Sequence, residues 1–197
     1  MTRKFAACRL VASLAICCCA PVAVAQNNAD QVTVQVKKIE LKKYATPQYQ
    51  LAQNQMKGKS RDWISIIADY DTDALWTDEL TFTYYVLVEN LRNPKAPRES
   101  VFRSKVTYVN IEKGRGHKSD VFLHPSVTAR FGDVKRVAVI VEANGKLVAG
   151  DSLPKSNQRW WEQYTPVDGM LQNRSQTPFA SINFDDYEMV KPSGAAQ

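Results

Sequence analysis

Beyond residue 19 the chain has no cysteine, because Cys8, Cys17, Cys18 and Cys19 all fall in its opening stretch. That excludes disulfides, thiol nucleophiles and thiolate metal sites from everything downstream. Histidine is nearly absent too, with His117 and His124 alone in 197 residues, which narrows metal and general-base chemistry. The eight glycines form no glycine-rich loop that follows a strand and opens a helix, and no serine sits in a nucleophile-elbow motif. No apolar run reaches the roughly 20 residues that span a bilayer.

What the opening stretch does have is the grammar of export. Arg3, Lys4 and Arg9 form a positive start, Leu10 to Ala20 an apolar stretch, and Ala23-Val24-Ala25 a small-residue cleavage site. Residues 1–25 are therefore expected to be a secretion signal and residues 26–31 a lead-in. Residues 32–190 are read as one β-sandwich domain and 191–197 as a disordered tail. The expected location is outside the cytoplasm, whether periplasmic, outer-membrane-associated or extracellular. The formal charge of +6 overstates the basicity, since the signal holds three of the 26 lysines and arginines. Export and the lack of an aromatic RNA-binding stretch argue against nucleic acid. The basic clusters at Lys37-Lys38, Lys42-Lys43, Lys57 to Arg61 and Lys113 to Lys118 suit either a solvated face or an acidic partner.

Alternation of period two dominates the rest. Val32, Val34 and Val36 share one phase, and Ile39 and Leu41 take the opposite one, which predicts a bulge at Lys37-Lys38. Tyr44 to Ser60 reads as a long loop or short surface helix. Trp63 to Tyr70 reads as a strand, Asp71 to Glu79 as a turn, and Leu80 to Asn90 as the clearest strand, with Leu80, Phe82, Tyr84, Val86 and Val88 on one face. Pro94 and Pro97 mark a loop. Val101 to Ile111 alternates, Gly114-Arg115-Gly116 breaks it, and Val121 to His124 is a short strand before a helical turn over Ser126 to Phe131. Val137 to Val141 leads into Asn144-Gly145, a pair that suits a type I′ hairpin, and Lys146 to Leu153 returns. A short helix over Asn157 to Tyr164 and a last strand over Phe179 to Met189 complete the reading. About eight strands, short helical turns and no βαβ alternation make an all-β, immunoglobulin-like β-sandwich.

Candidate chemistry is sparse. His117, Asp120 and His124 offer ligand types for zinc, but the odd spacing sets the two histidines on opposite faces of a regular strand. Asp69, Asp71 and Asp73, with Asp78 and Glu79, resemble the start of a calcium loop. Yet Ala74 and Leu80 stand where an EF-hand needs glycine and glutamate. Asp185 and Asp186 point to opposite faces of the predicted last strand, poor placement for paired acid–base work. Gly114-Arg115-Gly116 reads as a turn, and Asn173-Arg174-Ser175 matches an N-glycosylation pattern. The reading is therefore no enzyme, no metal and no cofactor. Trp160, Trp161 and Tyr164 form the densest aromatic cluster and, with Trp76, are the candidate binding residues, serving a protein partner, a glycan or packing.

Several stretches together carry a resemblance: Asp62-Trp63-Ile64, Asp69-Tyr70-Asp71, Trp76 to Phe82, Trp160-Trp161 and Thr177-Pro178-Phe179-Ala180. The chain resembles small secreted verrucomicrobial immunoglobulin-like proteins, including a type IV pilus-associated protein of mucin-degrading gut bacteria. The resemblance implies an immunoglobulin-like fold and a role at the cell surface, with no catalytic residues to carry over. Pilins assemble through a long hydrophobic N-terminal helix, and cleavage at Ala25 would leave none, so an associated protein is expected rather than a core subunit. The expected partners are envelope or pilus proteins, with self-association possible. The alternative is a carbohydrate-binding module for host or envelope glycans.

Overall fold

Two long strands organise the chain, and each bends once. The computed structural model describes residues 32–48, 60–92, 94, 95 and 97–192. The expected signal, the lead-in, most of the polar stretch before Ser60 and the end of the tail lie outside the described residues. Strand β1 (Val34–Ala45) pairs antiparallel with the first part of β2 (Asp62–Glu89). β2 pairs along its length with β3 (Glu99–Leu123), and its second part also pairs with β4 (Asp133–Ala143), which carries β5 (Lys146–Leu153). The outer edge of β3 holds three short strands: β6 (Val167–Asp168) in parallel, and β7 (Leu171–Asn173) and β8 (Met189–Val190) antiparallel. A seven-residue helix, α1 (Pro125–Phe131), turns the chain from β3 to β4.

The register of β2 on β3 shifts between Tyr70 and Thr72 and again between Thr72 and Trp76. The bends fold one hydrogen-bonded sheet into two layers. Layer one is β1, residues 62–72, residues 114–123 and β7; layer two is β5, β4, residues 76–89 and residues 99–112. Between them lie Ile66, Ala68 and Tyr70 from one side and Phe82, Tyr84, Val86, Val88, Val137 and Val139 from the other. Each fully buried aliphatic side chain there contributes about 1.5–3 kcal/mol of transfer free energy. Two phenols cross the sandwich. The Tyr84 hydroxyl donates to Ser119 Oγ at 2.7 Å, and the Asp120 backbone N–H donates to the Tyr108 hydroxyl at 3.2 Å. This is the all-β, immunoglobulin-like sandwich that the alternation predicts.

Several expectations change. Asp71 to Glu79 is no turn, and Gly114-Arg115-Gly116 ends no strand; both stay within continuous strands as the irregular points where these bend. Turn-forming composition is also what a bend needs, because a bulge relaxes the ladder locally and sharpens the twist. The predicted last strand over 179–189 is a run of turns to residue 183, a 3₁₀ turn at Phe184–Asp186 and the start of β8, and a further 3₁₀ turn at Arg174–Gln176 precedes it. Other features match: the register shift between Val36 and Lys38, the helical turn before β4, and the hairpin with positive φ at both Asn144 and Gly145.

Candidate functional site

Side chains alternate across a strand, so each layer also has an outward face. On layer two that face carries Leu87, Val101 and Ala138, covered by a 3₁₀ turn at Trp160–Gln163. Trp160 is 3% exposed there. Trp161 stacks on Tyr85 with ring centroids 5.7 Å apart, and the Tyr164 hydroxyl donates to Glu99 at 2.9 Å. Three of the four candidate binding residues are thus brought together, but Trp160 is a packing residue and offers no face to a ligand. Trp76 lies elsewhere. It sits at the bend of β2, 53% exposed, beside Leu75 at 72%. A bulged backbone turns both side chains outward.

The two histidines do not meet. His117 stacks on Tyr70 at 5.2 Å, donates from Nδ1 to Glu188 at 2.7 Å and faces the Thr72 hydroxyl at 3.4 Å. Gly114 leaves it room, for a Cβ there would lie 2.6 Å from the His117 ring. His124 caps α1, with Nδ1 accepting the Ser126 N–H at 3.1 Å, and packs edge-on to Trp63. Asp71 accepts the Gly116 N–H and pairs with Lys37, and Asp73 accepts the Thr33 N–H. These bonds hold both carboxyls below the usual carboxylate range. No group of three His, Cys, Asp or Glu side chains among the described residues could hold a metal. Asp186 pairs with exposed Lys118.

Sequence reasoning missed a buried ionic cluster on the outward face of layer one. Asp120 is fully buried and takes a hydrogen bond from Arg174, whose guanidinium also donates to the Ile182 carbonyl and lies 3.7 Å over the Tyr187 ring. Burial is the larger influence on the Asp120 carboxyl, pushing it up to about 6 against the pull of Arg174. Burial also raises the Tyr187 phenol. Beside the cluster, Phe179 stacks on Phe122 at 5.1 Å and meets Trp63 edge-on, so residues 174–190 form a lid over this face. Arg174, Tyr187, Ala180, Phe184 and Met189 surround a cavity of about 340 Å³ in the lid. Nothing local in the sequence marks the pair, since 54 residues separate its members.

A second cleft, of about 550 Å³, opens at the outer edge of β3 between β6 and β7. Its walls are polar. Arg103 grips Asp168 through two parallel bonds of 2.8 and 2.7 Å, and Lys105, Gln172, Asn173 and Gln176 surround the rest.

The class of protein these features define is an immunoglobulin-like sandwich with two covered outward faces. A protein-family model matches residues 25–193, and the chain belongs to that family, a group of small verrucomicrobial immunoglobulin-like proteins. A crystal structure of a protein from Akkermansia muciniphila is similar, with a TM-score of 0.72 at 26% identity, covering 83% of this chain and 95% of that one. No curated protein matches. No helix of the described residues is long and apolar enough to cross a membrane.

Proposed function

We propose that the protein is a non-enzymatic, exported interaction protein of the cell envelope or surface, working with type IV pilus-like machinery. The observation that carries the reading is the Leu75–Trp76 projection. Tryptophan is the residue most enriched among interface hot spots, and here an indole stands more than half exposed at the bend of β2. The histidines and Asp120 serve a stack, a helix cap and a buried ion pair, which supports a binding role over a catalytic one. Pilus-like machinery enters through the resemblance of the sequence motifs.

The test is capture from surface extracts of the producing cells with the chain from Gln26 to Gln197, comparing the native protein with Trp76→Ala. Pilus or envelope proteins should be retained through moderate salt by the native protein and lost by the variant. Equal recovery by both would remove Trp76 from the interface, and recovery of no envelope protein would sink the reading. The glycan reading does not rest on Trp160, which is buried. It passes to the polar cleft at the edge of β3.

A further inference from the structure

The outer edge of β3 is capped in pieces, and one residue between the pieces has no ladder partner on that edge among the described residues. The Lys191 N–H donates to the Thr107 carbonyl at 2.8 Å, so the peptide groups of Thr107 point away from β2. Residues facing each other in an antiparallel pair alternate between bonded and non-bonded sites. Thr81 faces Thr107 and Thr83 faces Lys105, so Lys105 also turns its N–H and C=O away from β2, into the cleft. β6 pairs with Phe102 and Arg103, and β8 with Tyr108 and Val109, which leaves Lys105 outside both.

Two further observations fall at the same place. The Gln172 side-chain oxygen is buried at the cleft wall without a hydrogen-bond partner among the described residues. The Lys105 ammonium makes no salt bridge to a described residue, although it lies close enough to Asp168 to help lower that carboxyl. A buried polar group left unpaired costs about 1–3 kcal/mol, so a ligand that pairs the Gln172 oxygen gains there, while the exposed Lys105 peptide groups exchange water for the ligand. Gly169, at φ +83° with open space where a Cβ would be, turns the chain away between β6 and β7 and keeps the cleft open.

We infer that this cleft binds an N-acetylated amino sugar. The acetamido carbonyl supplies the acceptor for the Lys105 N–H and a neighbouring ring hydroxyl the donor for its C=O, because a trans amide points its own N–H the opposite way. The ring hydroxyls, which donate and accept alike, suit the side-chain amides of Gln172, Asn173 and Gln176 and the fixed Arg103–Asp168 pair. An extended peptide could also pair with Lys105, but β6 and β8 occupy the edge on either side and leave it little length to pair along. The inference deepens the glycan reading and is independent of the Trp76 interface.

The test follows the backbone amide resonance of Lys105 by NMR in the full chain. It is titrated with the disaccharide of N-acetylglucosamine, with its de-N-acetylated counterpart, and with a capped tetrapeptide of alternating valine and threonine. Saturable shifts at Lys105 and Gln172 with the acetylated sugar are expected, with at least about tenfold weaker binding of the de-acetylated one, because a site built to pair a polar group rejects analogues that lack it. Gln172→Leu should weaken the acetylated sugar several-fold while the remaining amide spectrum stays native. Absence of shifts, equal affinity for the two sugars, or preferential binding of the tetrapeptide at Lys105 would each overturn the inference. Capture by the Trp76 surface is unaffected by any of these outcomes.

Discussion

The two outward faces of the sandwich are closed by different means. On layer two, Trp160 buries its indole against Leu87, Val101 and Ala138, and Trp161 stacks on Tyr85. On layer one, residues 174–190 combine an aromatic contact, Phe179 on Phe122, with a buried ion pair, Arg174 on Asp120. The first cover is held mainly by apolar and ring contacts, with the Tyr164–Glu99 hydrogen bond at its exposed rim, and carries no buried charge. The second is directional: the guanidinium must satisfy a carboxylate, a backbone carbonyl and an aromatic face at once. A buried ion pair costs desolvation that its attraction barely repays. The second cover therefore gives up stability relative to an apolar one, and its placement depends on charge.

The largest effect should come from breaking that dependence. Arg174→Ala strands a buried carboxylate and is expected to destabilise the fold by about 4 kcal/mol, read by urea denaturation at pH 7. The paired replacement Asp120→Leu with Arg174→Met should recover most of that loss, because two apolar groups need no partners. If the double variant is as unstable as the single one, the pair holds the cover in a way that packing cannot replace. On the other face, Trp160→Ala should cost about 3 kcal/mol through lost burial and a cavity, and no second substitution restores it by charge.

Acidity separates the faces next. The folded-state Asp120 carboxyl sits near 6, above its ordinary value of 3.8. Its protonated form is thus favoured by folding, and the stability it contributes is full below the ordinary value and lost as pH rises through about 6. The Arg174→Ala penalty should therefore be largest near pH 7 and shrink toward pH 4, where Asp120 is neutral. The surface acids run the other way. Lys38 and then Lys42 lower Glu40 to about 2, and hydrogen bonds lower Asp71 and Asp73, so what these groups contribute fades as pH falls through their lowered values. Amide hydrogen exchange at pH 5 and pH 7 would show it: protection in the lid of Arg174→Ala should rise toward acid while the Trp160 cover of the same variant changes little. A parallel change in both covers would remove Asp120 as the cause.

The strands were legible because alternation reports a face that is buried, and burial is what most of this chain does. The bulge at Lys37 and the Asn144-Gly145 hairpin were legible for the same local reason. The bends were not, since Asp71 to Glu79 and Gly114-Arg115-Gly116 have the composition of turns, and only the partner strand decides whether the ladder resumes. Within the lid, residues 179–189 have the apolar and aromatic content of a strand in Phe179, Ile182, Phe184 and Met189, yet all of these but Phe179 end up exposed. Trp160 and Trp76 look alike in sequence. Their difference, buried against exposed, is set by which element passes over them.

The smallest expected effect isolates burial from charge. Arg92 and Asp133 make the same kind of pair as Arg174 and Asp120, with 2.8 Å between Nη2 and Oδ2, but their side chains are 80% and 71% exposed against 12% and 0%. Water screens the exposed pair and already solvates both partners, so a double-mutant cycle with Arg92→Ala and Asp133→Ala should give a coupling of about 0.2–1 kcal/mol that salt weakens. The same cycle on Arg174 and Asp120 should give several-fold more and respond little to salt. Were the two couplings equal, the lid would be held by packing at Phe179, and the ionic contact beneath it would be a consequence of the fold and not one of its causes.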